Sequence, residues 1–133
     1  MSFREKSAWA MAAVLLVVGA FYVKLVAFDG VPPAAAAIPF VFFTVVLSVV
    51  AQVGLALLSP KEASSPADER ERIAIDKAAH FSSYVLVIGS LVGLGQFMFA
   101  ADGARLFHIV LTCLILSQIA EYCAQIFLFR RAF

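Results

Sequence analysis

Four long apolar runs take up most of the chain, and short polar or turn-forming stretches separate them. A helix of about 20 apolar residues matches the ~30 Å thickness of the hydrocarbon core of a bilayer. The pattern therefore predicts four membrane-spanning helices, at about residues 8–28, 35–58, 78–99 and 106–129. A cleaved signal peptide is the competing interpretation of the first run. The length of that run and the presence of Lys24 within it favour a retained span.

The connections between these runs are short. Gly30, Pro32 and Pro33 interrupt helix after the first run, and residues 100–105 form a tight turn between the third and fourth. Because short connections join antiparallel neighbours, we expect an all-α fold, an integral membrane four-helix bundle with up-down-up-down topology. Residues 1–133 then form a single transmembrane domain.

Composition and charge support a multi-pass membrane protein. Hydrophobic residues make up 63% of the chain and charged residues 14%, whereas a soluble domain carries about 25% charged residues. Apart from Lys24 and Arg105, every lysine and arginine falls on one side of the expected membrane: Arg4, Lys6, Lys61, Arg70, Arg72, Lys77, Arg130 and Arg131. The positive-inside rule then places both termini in the cytoplasm.

The third helix is expected to begin before its membrane span. Ser65 is a favourable N-cap and Pro66 a favourable first residue, so residues 66–77 should form a cytoplasmic helical extension. Asp68, Arg72 and Asp76 follow one another at i+4 spacing along it. This ladder is either a solvated face or a docking surface for a partner or for lipid headgroups.

Glu121 is the most informative residue within the apolar runs. It lies nine residues before Arg130, roughly 13 Å deeper along the helix axis. A charge facing lipid at such a depth is costly, so Glu121 should face protein or water, or be protonated. Other polar residues of the runs fall at a similar depth, and we expect one cluster centred on a contact between His80 and Glu121. Its members are Gln52, His80, Ser83, Gln118, Glu121 and Gln125.

Three interpretations of this cluster stay open. Polar side chains commonly hold membrane helices together, which favours a structural role. Glu121 and His80 could instead relay protons or bind a cation, or could join Asp76 in a metal site. The third strong ligand of such a site is missing, so we expect no metal.

Sequence motifs point to no other chemistry. No nucleotide-binding or serine-hydrolase motif occurs, and the net charge of +1 disfavours nucleic acid as a partner. Cys113 and Cys123 are ten residues apart in one run, so they cannot form a disulfide within one helix. We therefore expect no cofactor and no catalysis by the chain itself.

Smaller patterns predict how the helices pack. Thr44, Ser48 and Gln52 recur at i+4 spacing and should face other helices, while Gly89 and Gly93 permit close helix approach.

Aromatic residues and a proline give two further expectations. Trp9 and Tyr22 stand near the two ends of the first run, as residues at membrane interfaces do. Pro39 is expected in the first turn of the second helix, where its missing N–H is harmless.

Two segments carry a family resemblance. Asp68-Glu69-Arg70-Glu71-Arg72-Ile73, followed by Lys77-Ala78-Ala79 and an apolar run, resembles a group of small prokaryotic membrane proteins known only as a domain of unknown function. The opening residues 4–9 also resemble theirs. The resemblance implies a four-helix inner-membrane protein and carries over no activity and no site residue.

The sequence favours an accessory or interaction subunit of the membrane over a catalyst. Its expected partners are the lipid bilayer and either further copies of itself or another membrane protein. The alternative is a proton- or cation-conducting transporter or channel that uses Glu121 and His80.

Overall fold

A computed structural model describes residues 2–132, and all regular secondary structure within that range is helical. The helices are α1 (Phe3–Val23), which continues into a π-helical turn (Lys24–Phe28), α2 (Pro33–Leu58), the short α3 (Pro60–Ser64), α4 (Glu69–Ala100) and α5 (Gly103–Ala132). Apart from α3, each helix is long and apolar enough to cross a membrane. The structure is therefore compatible with a multi-pass membrane protein.

The first helix has a distinct signal at each end. Ser2 caps its start by accepting a hydrogen bond from the Glu5 N–H at 3.2 Å. At its far end the Asp29 N–H donates to the Lys24 carbonyl at 3.2 Å, five residues back, which widens the last turn. Gly30 then takes the left-handed conformation (φ 67°) that reverses the chain. The predicted first span thus divides into an α-helix and one π-helical turn.

Two local predictions were wrong. α2 begins at Pro33, so Pro39 is the seventh residue of the helix and not a residue of its first turn. The helix that contains the third predicted span is α4, and it begins at Glu69 instead of near Pro66. Asp68 caps it, with its carboxylate accepting from the Glu69 N–H at 2.7 Å. The Asp68 N–H in turn donates to the Glu71 carboxylate at 3.2 Å, which completes a capping box.

The long helices lie side by side in the order α2, α1, α5, α4, with α1 and α5 in the middle. We call the end that holds the starts of α1 and α4 and the end of α5 the charged end, and the opposite one the turn end. At the charged end α1 packs against α4 and α5 through Ala8, Ala12, Ala74, Ile126 and Phe129. At the turn end α1 packs against α2 through Val18, Tyr22, Ala36 and Phe40, with Leu111 and Ile115 of α5 against them. These contacts make neighbouring long helices antiparallel.

The closest helix approach joins α4 to α5. A Cβ placed on Gly89 would collide with the side chain of Cys113, and one on Gly93 would lie 3.2 Å from Ile109. The glycine pair thus lets the two helices come together, as its spacing predicts. By contrast, α2 has contacts mainly on its α1 side and leaves most of its apolar side chains exposed.

Candidate functional site: polar contacts between the helices

Glu121 on α5 faces α4. One of its carboxyl oxygens accepts a hydrogen bond from Ser82 Oγ at 3.3 Å, and the other accepts from Gln125 Nε2 at 3.4 Å. Ser82 and Gln125 are 7% and 8% exposed, so the contact lies inside the α4–α5 interface. Ser82 Oγ also donates to the carbonyl oxygen of Ala79 on its own helix, at 3.0 Å. Glu121 therefore faces protein, as its depth in the run predicts, and binds the two helices together.

The expected contact between His80 and Glu121 is not formed. His80 lies two residues before Ser82, about 200° away around the helix, so it points away from α5. It is exposed, and its Nδ1 lies 2.9 Å from the Asp76 carbonyl. Depth along the helix, from which the contact was predicted, does not reveal this angular difference.

Other members of the expected cluster also lie apart. Ser83 is exposed and donates to the His80 carbonyl of its own helix at 2.7 Å. Gln118 is exposed as well. Gln52 accepts a hydrogen bond from Ser7 Oγ at 2.9 Å, which joins α2 to α1. The structure brings together only Glu121 and Gln125 of the six predicted residues, and adds Ser82.

The polar stripe of α2, which consists of Thr44, Ser48 and Gln52, faces α1 over part of its length. Thr44 donates to the Phe40 carbonyl at 2.7 Å within its own helix. Ser48 Oγ is buried and has no hydrogen-bond partner among the described residues. Ser48 and Gln52 line a groove of about 520 Å³ between α1, α2 and Tyr122 of α5.

Ion pairs at the charged end start from the first turn of α1. Arg4 pairs with Glu71 of α4 at 3.5 Å, and Lys6 pairs with Glu62 of α3 at 3.6 Å. Between them in sequence, the nearly buried Glu5 accepts from Arg130 Nε of α5 at 3.4 Å. Consecutive helix residues point about 100° apart, so three adjacent charges reach three different elements.

None of these ion pairs lies within the i+4 ladder of Asp68, Arg72 and Asp76. Asp68 serves as the cap of α4, whereas Arg72 and Asp76 are exposed. Within residues 2–132 no ion pair joins two residues of α4. Arg130 also lies 5.4 Å from the centre of the Trp9 ring, which ties the end of α5 to the start of α1.

A pair formed by the buried Tyr22 and the half-buried His108 lies at the turn end. Tyr22 Oη is 3.3 Å from Nδ1 of His108, and the two rings stack with their centres 6.1 Å apart. Tyr22 is 1% exposed and also contacts the Phe40 ring edge-on. Tyr22 therefore packs inside the bundle near the turn end, and its expected position at a membrane interface stays a prediction. Depth along the helices could have indicated this pair from sequence. Tyr22 and His108 each lie about one and a half turns from the turn end of antiparallel helices.

Metal ligands do not gather in the described part of the chain. Within residues 2–132 no group of three or more His, Cys, Asp or Glu side chains is placed to hold a metal ion. The polar groups instead join each neighbouring pair in the row of helices. Ser7 and Gln52 link α1 to α2, Tyr22 and His108 link α1 to α5, and Ser82 and Glu121 link α4 to α5.

The chain matches no protein-family model, no curated protein and no solved structure. The resemblance of residues 4–9 and 68–73 to small prokaryotic membrane proteins of unknown function therefore stays a prediction.

Proposed function

We propose that this protein is a small integral protein of the inner membrane that acts as an accessory or interaction subunit and has no catalysis of its own. The observation that carries the proposal is the use of its intramembrane polar groups. Each neighbouring pair of long helices is joined by a side-chain hydrogen bond, and Glu121 is part of one. Groups used in this way position helices, which suits a protein that works through association.

Proton or cation conduction through Glu121 and His80 has less support. A relay needs its groups within hydrogen-bond reach of one another or of a shared water. His80 lies on the face of α4 turned away from Glu121, and the carboxyl of Glu121 is bonded to Ser82 and Gln125.

The experiment that separates the two functions is a flux measurement on the purified protein in liposomes. We expect no pH- or cation-dependent flux above that of protein-free liposomes. A flux that Glu121→Gln abolishes and Gln118→Ala, on the exposed side of the same helix, preserves would overturn the accessory function.

The proposed topology is up-down-up-down with both termini in the cytoplasm. It is supported by the antiparallel helix contacts and by the eight of ten basic residues at the charged end. Reporter fusions after Phe28 and after Arg131 test it. We expect the Phe28 fusion to report the periplasm and the Arg131 fusion the cytoplasm, and a periplasmic Arg131 would contradict the four-span topology.

A further inference from the structure

The side of α4 that faces away from α5 carries a heptad repeat. Its exposed residues recur at alternating steps of four and three positions, and we call the following six the α4 seam: Ile73, Lys77, His80, Tyr84, Val87 and Leu91. The same alternation continues to Arg70 before the seam and to Leu94 and Met98 after it, so it covers four heptads. Such a repeat keeps one stripe of a helix facing a partner helix over its whole length.

The chain's own helices leave this stripe uncovered. Ser82 and Gly89, which contact α5, lie on the opposite side of α4 from the seam. Ile73 is an apolar residue that is 48% exposed. It lies in the first turns of α4, before the apolar run begins. Lipid chains can cover Val87 and Leu91. They do not reach the charged part at the start of the seam and offer its polar groups no hydrogen bond.

A groove of about 510 Å³ crosses that start. It is lined by Ile73, Asp76, Lys77, His80, Phe81 and Tyr84, so an acid, a base and apolar side chains stand next to one another. The order of acid and base repeats one heptad earlier, where Glu69 precedes Arg70 just as Asp76 precedes Lys77. In a parallel pair of helices the acid that flanks the seam lies beside the base of the partner helix. The surface is therefore complementary in charge to a second copy of itself.

Membrane insertion restricts how two copies can meet. Copies with the same orientation share one surface only about a two-fold axis that runs along the membrane normal. About that axis the two α4 helices run parallel and at equal depth, which is the arrangement in which a heptad stripe meets itself in register.

We infer that two copies of this chain associate through α4, as a parallel helix pair packed along the α4 seam. The inference rests on the proposed membrane placement and accessory function, and it names their partner as a second copy. Asp76 of each copy then lies beside Lys77 of the other, and the apolar part of the seam continues the contact through the bilayer.

Disulfide cross-linking in native membranes tests the pairing. In a background with Cys113 and Cys123 replaced by alanine, Val87→Cys places one thiol on the seam. Val92→Cys is its matched control: the two valines are 54% and 60% exposed, and Val92 lies about 140° around the helix from Val87. We expect oxidation to convert Val87→Cys into a species of about twice 14.3 kDa at least tenfold faster than Val92→Cys.

Charge reversal tests the register. Asp76→Lys alone and Lys77→Asp alone should each slow cross-linking of Val87→Cys about tenfold, because like charges then meet at the start of the seam. The double variant Asp76→Lys/Lys77→Asp restores complementarity and should restore the rate, while Arg72→Asp, off the seam, should leave it unchanged.

The outcomes separate this inference from the proposed function. No disulfide at Val87, or equal rates at Val87 and Val92, would overturn the seam even if liposomes show no flux. A flux abolished by Glu121→Gln would overturn the accessory function and leave a seam-specific disulfide standing.

Discussion

At the scale of the residue, the position of Glu121 in the sequence says what kind of surroundings its side chain needs. Its position within an apolar run already required contact with protein or water, or protonation, because the cost of a lipid-facing charge does not depend on the details of the fold. Which serine would meet it depended on the rotation of α4 about its own axis. Ser82 and Ser83 are neighbours in sequence but point about 100° apart, and only Ser82 faces α5.

A double-mutant cycle between Ser82 and Glu121 tests this contact. Ser82→Ala and Glu121→Ala should be coupled, with an interaction energy of about 0.6 kcal/mol and at most about 1.7 kcal/mol, which are the mean and the maximum found for hydrogen bonds between membrane helices. The measurement is the free energy of unfolding in mixed micelles on titration with a denaturing detergent. Ser83→Ala is the matched control, and a coupling to Glu121 as large as that of Ser82 would contradict the geometry.

At the scale of the element, two glycines let α4 approach α5, and Gly89 lies at the tighter of the two contacts. A methyl group on Gly89 has no room beside Cys113, whereas one on Gly95 of the same helix meets nothing within 4 Å. We expect Gly89→Ala to lower the free energy of unfolding by about 1–3 kcal/mol, as overpacked sites do.

Two controls accompany that substitution. Gly95→Ala should be neutral or stabilising by up to about 1 kcal/mol, since alanine is the better helix former. Adding Cys113→Ala to Gly89→Ala should recover only part of the loss, because the Cβ at position 113 would still lie 2.8 Å from the new methyl group. Equal effects of the two glycine substitutions would exclude close packing as the reason for Gly89.

The start of α4 shows a competition between two local signals. Ser65-Pro66 and Asp68 with Glu71 each form a plausible beginning for a helix, and both are present in sequence. The second prevails because Ser65 Oγ donates to the Lys61 carbonyl of α3, whereas Glu71 both closes the capping box and pairs with Arg4. That choice depends on α1 being nearby.

Substitution of the cap should therefore loosen the first turn of α4. Asp68→Ala is expected to destabilise it by about 1 kcal/mol. Hydrogen exchange at the amides of residues 69–72 should accelerate accordingly, and Ser65→Ala should leave these amides unchanged. Faster exchange in Ser65→Ala than in Asp68→Ala would return the helix start to Pro66.

The arrangement of the whole molecule rests on α1 and α5, which form the middle of the row. The α1–α2 hairpin meets the α4–α5 hairpin through buried small and apolar residues, through the Tyr22–His108 pair and through the Glu5–Arg130 pair. This interface does not depend on the connection between the hairpins. Helices inserted separately can therefore find it within the bilayer.

A chain divided after Ser64 should reassemble in the membrane. We expect the fragments 1–64 and 65–133 to co-purify when they are co-expressed. Ala12→Leu, at a buried site between α1 and its neighbours, should prevent this, while Ala13→Leu on the exposed side should not. Loss of co-purification with both variants, or with neither, would contradict the packing of α1.

The four long helices and their ends to within a few residues follow from the sequence alone, because length and hydropathy are local properties. The same holds for the requirement that Glu121 face protein or water, or be protonated. Only the tertiary structure decided the partners: Ser82 in place of His80 beside Glu121, Ser7 beside Gln52, and three ion pairs from consecutive residues of α1. These contacts depend on how each helix is rotated and on which helices are neighbours. Residue depth, which the sequence supplies, does not determine either.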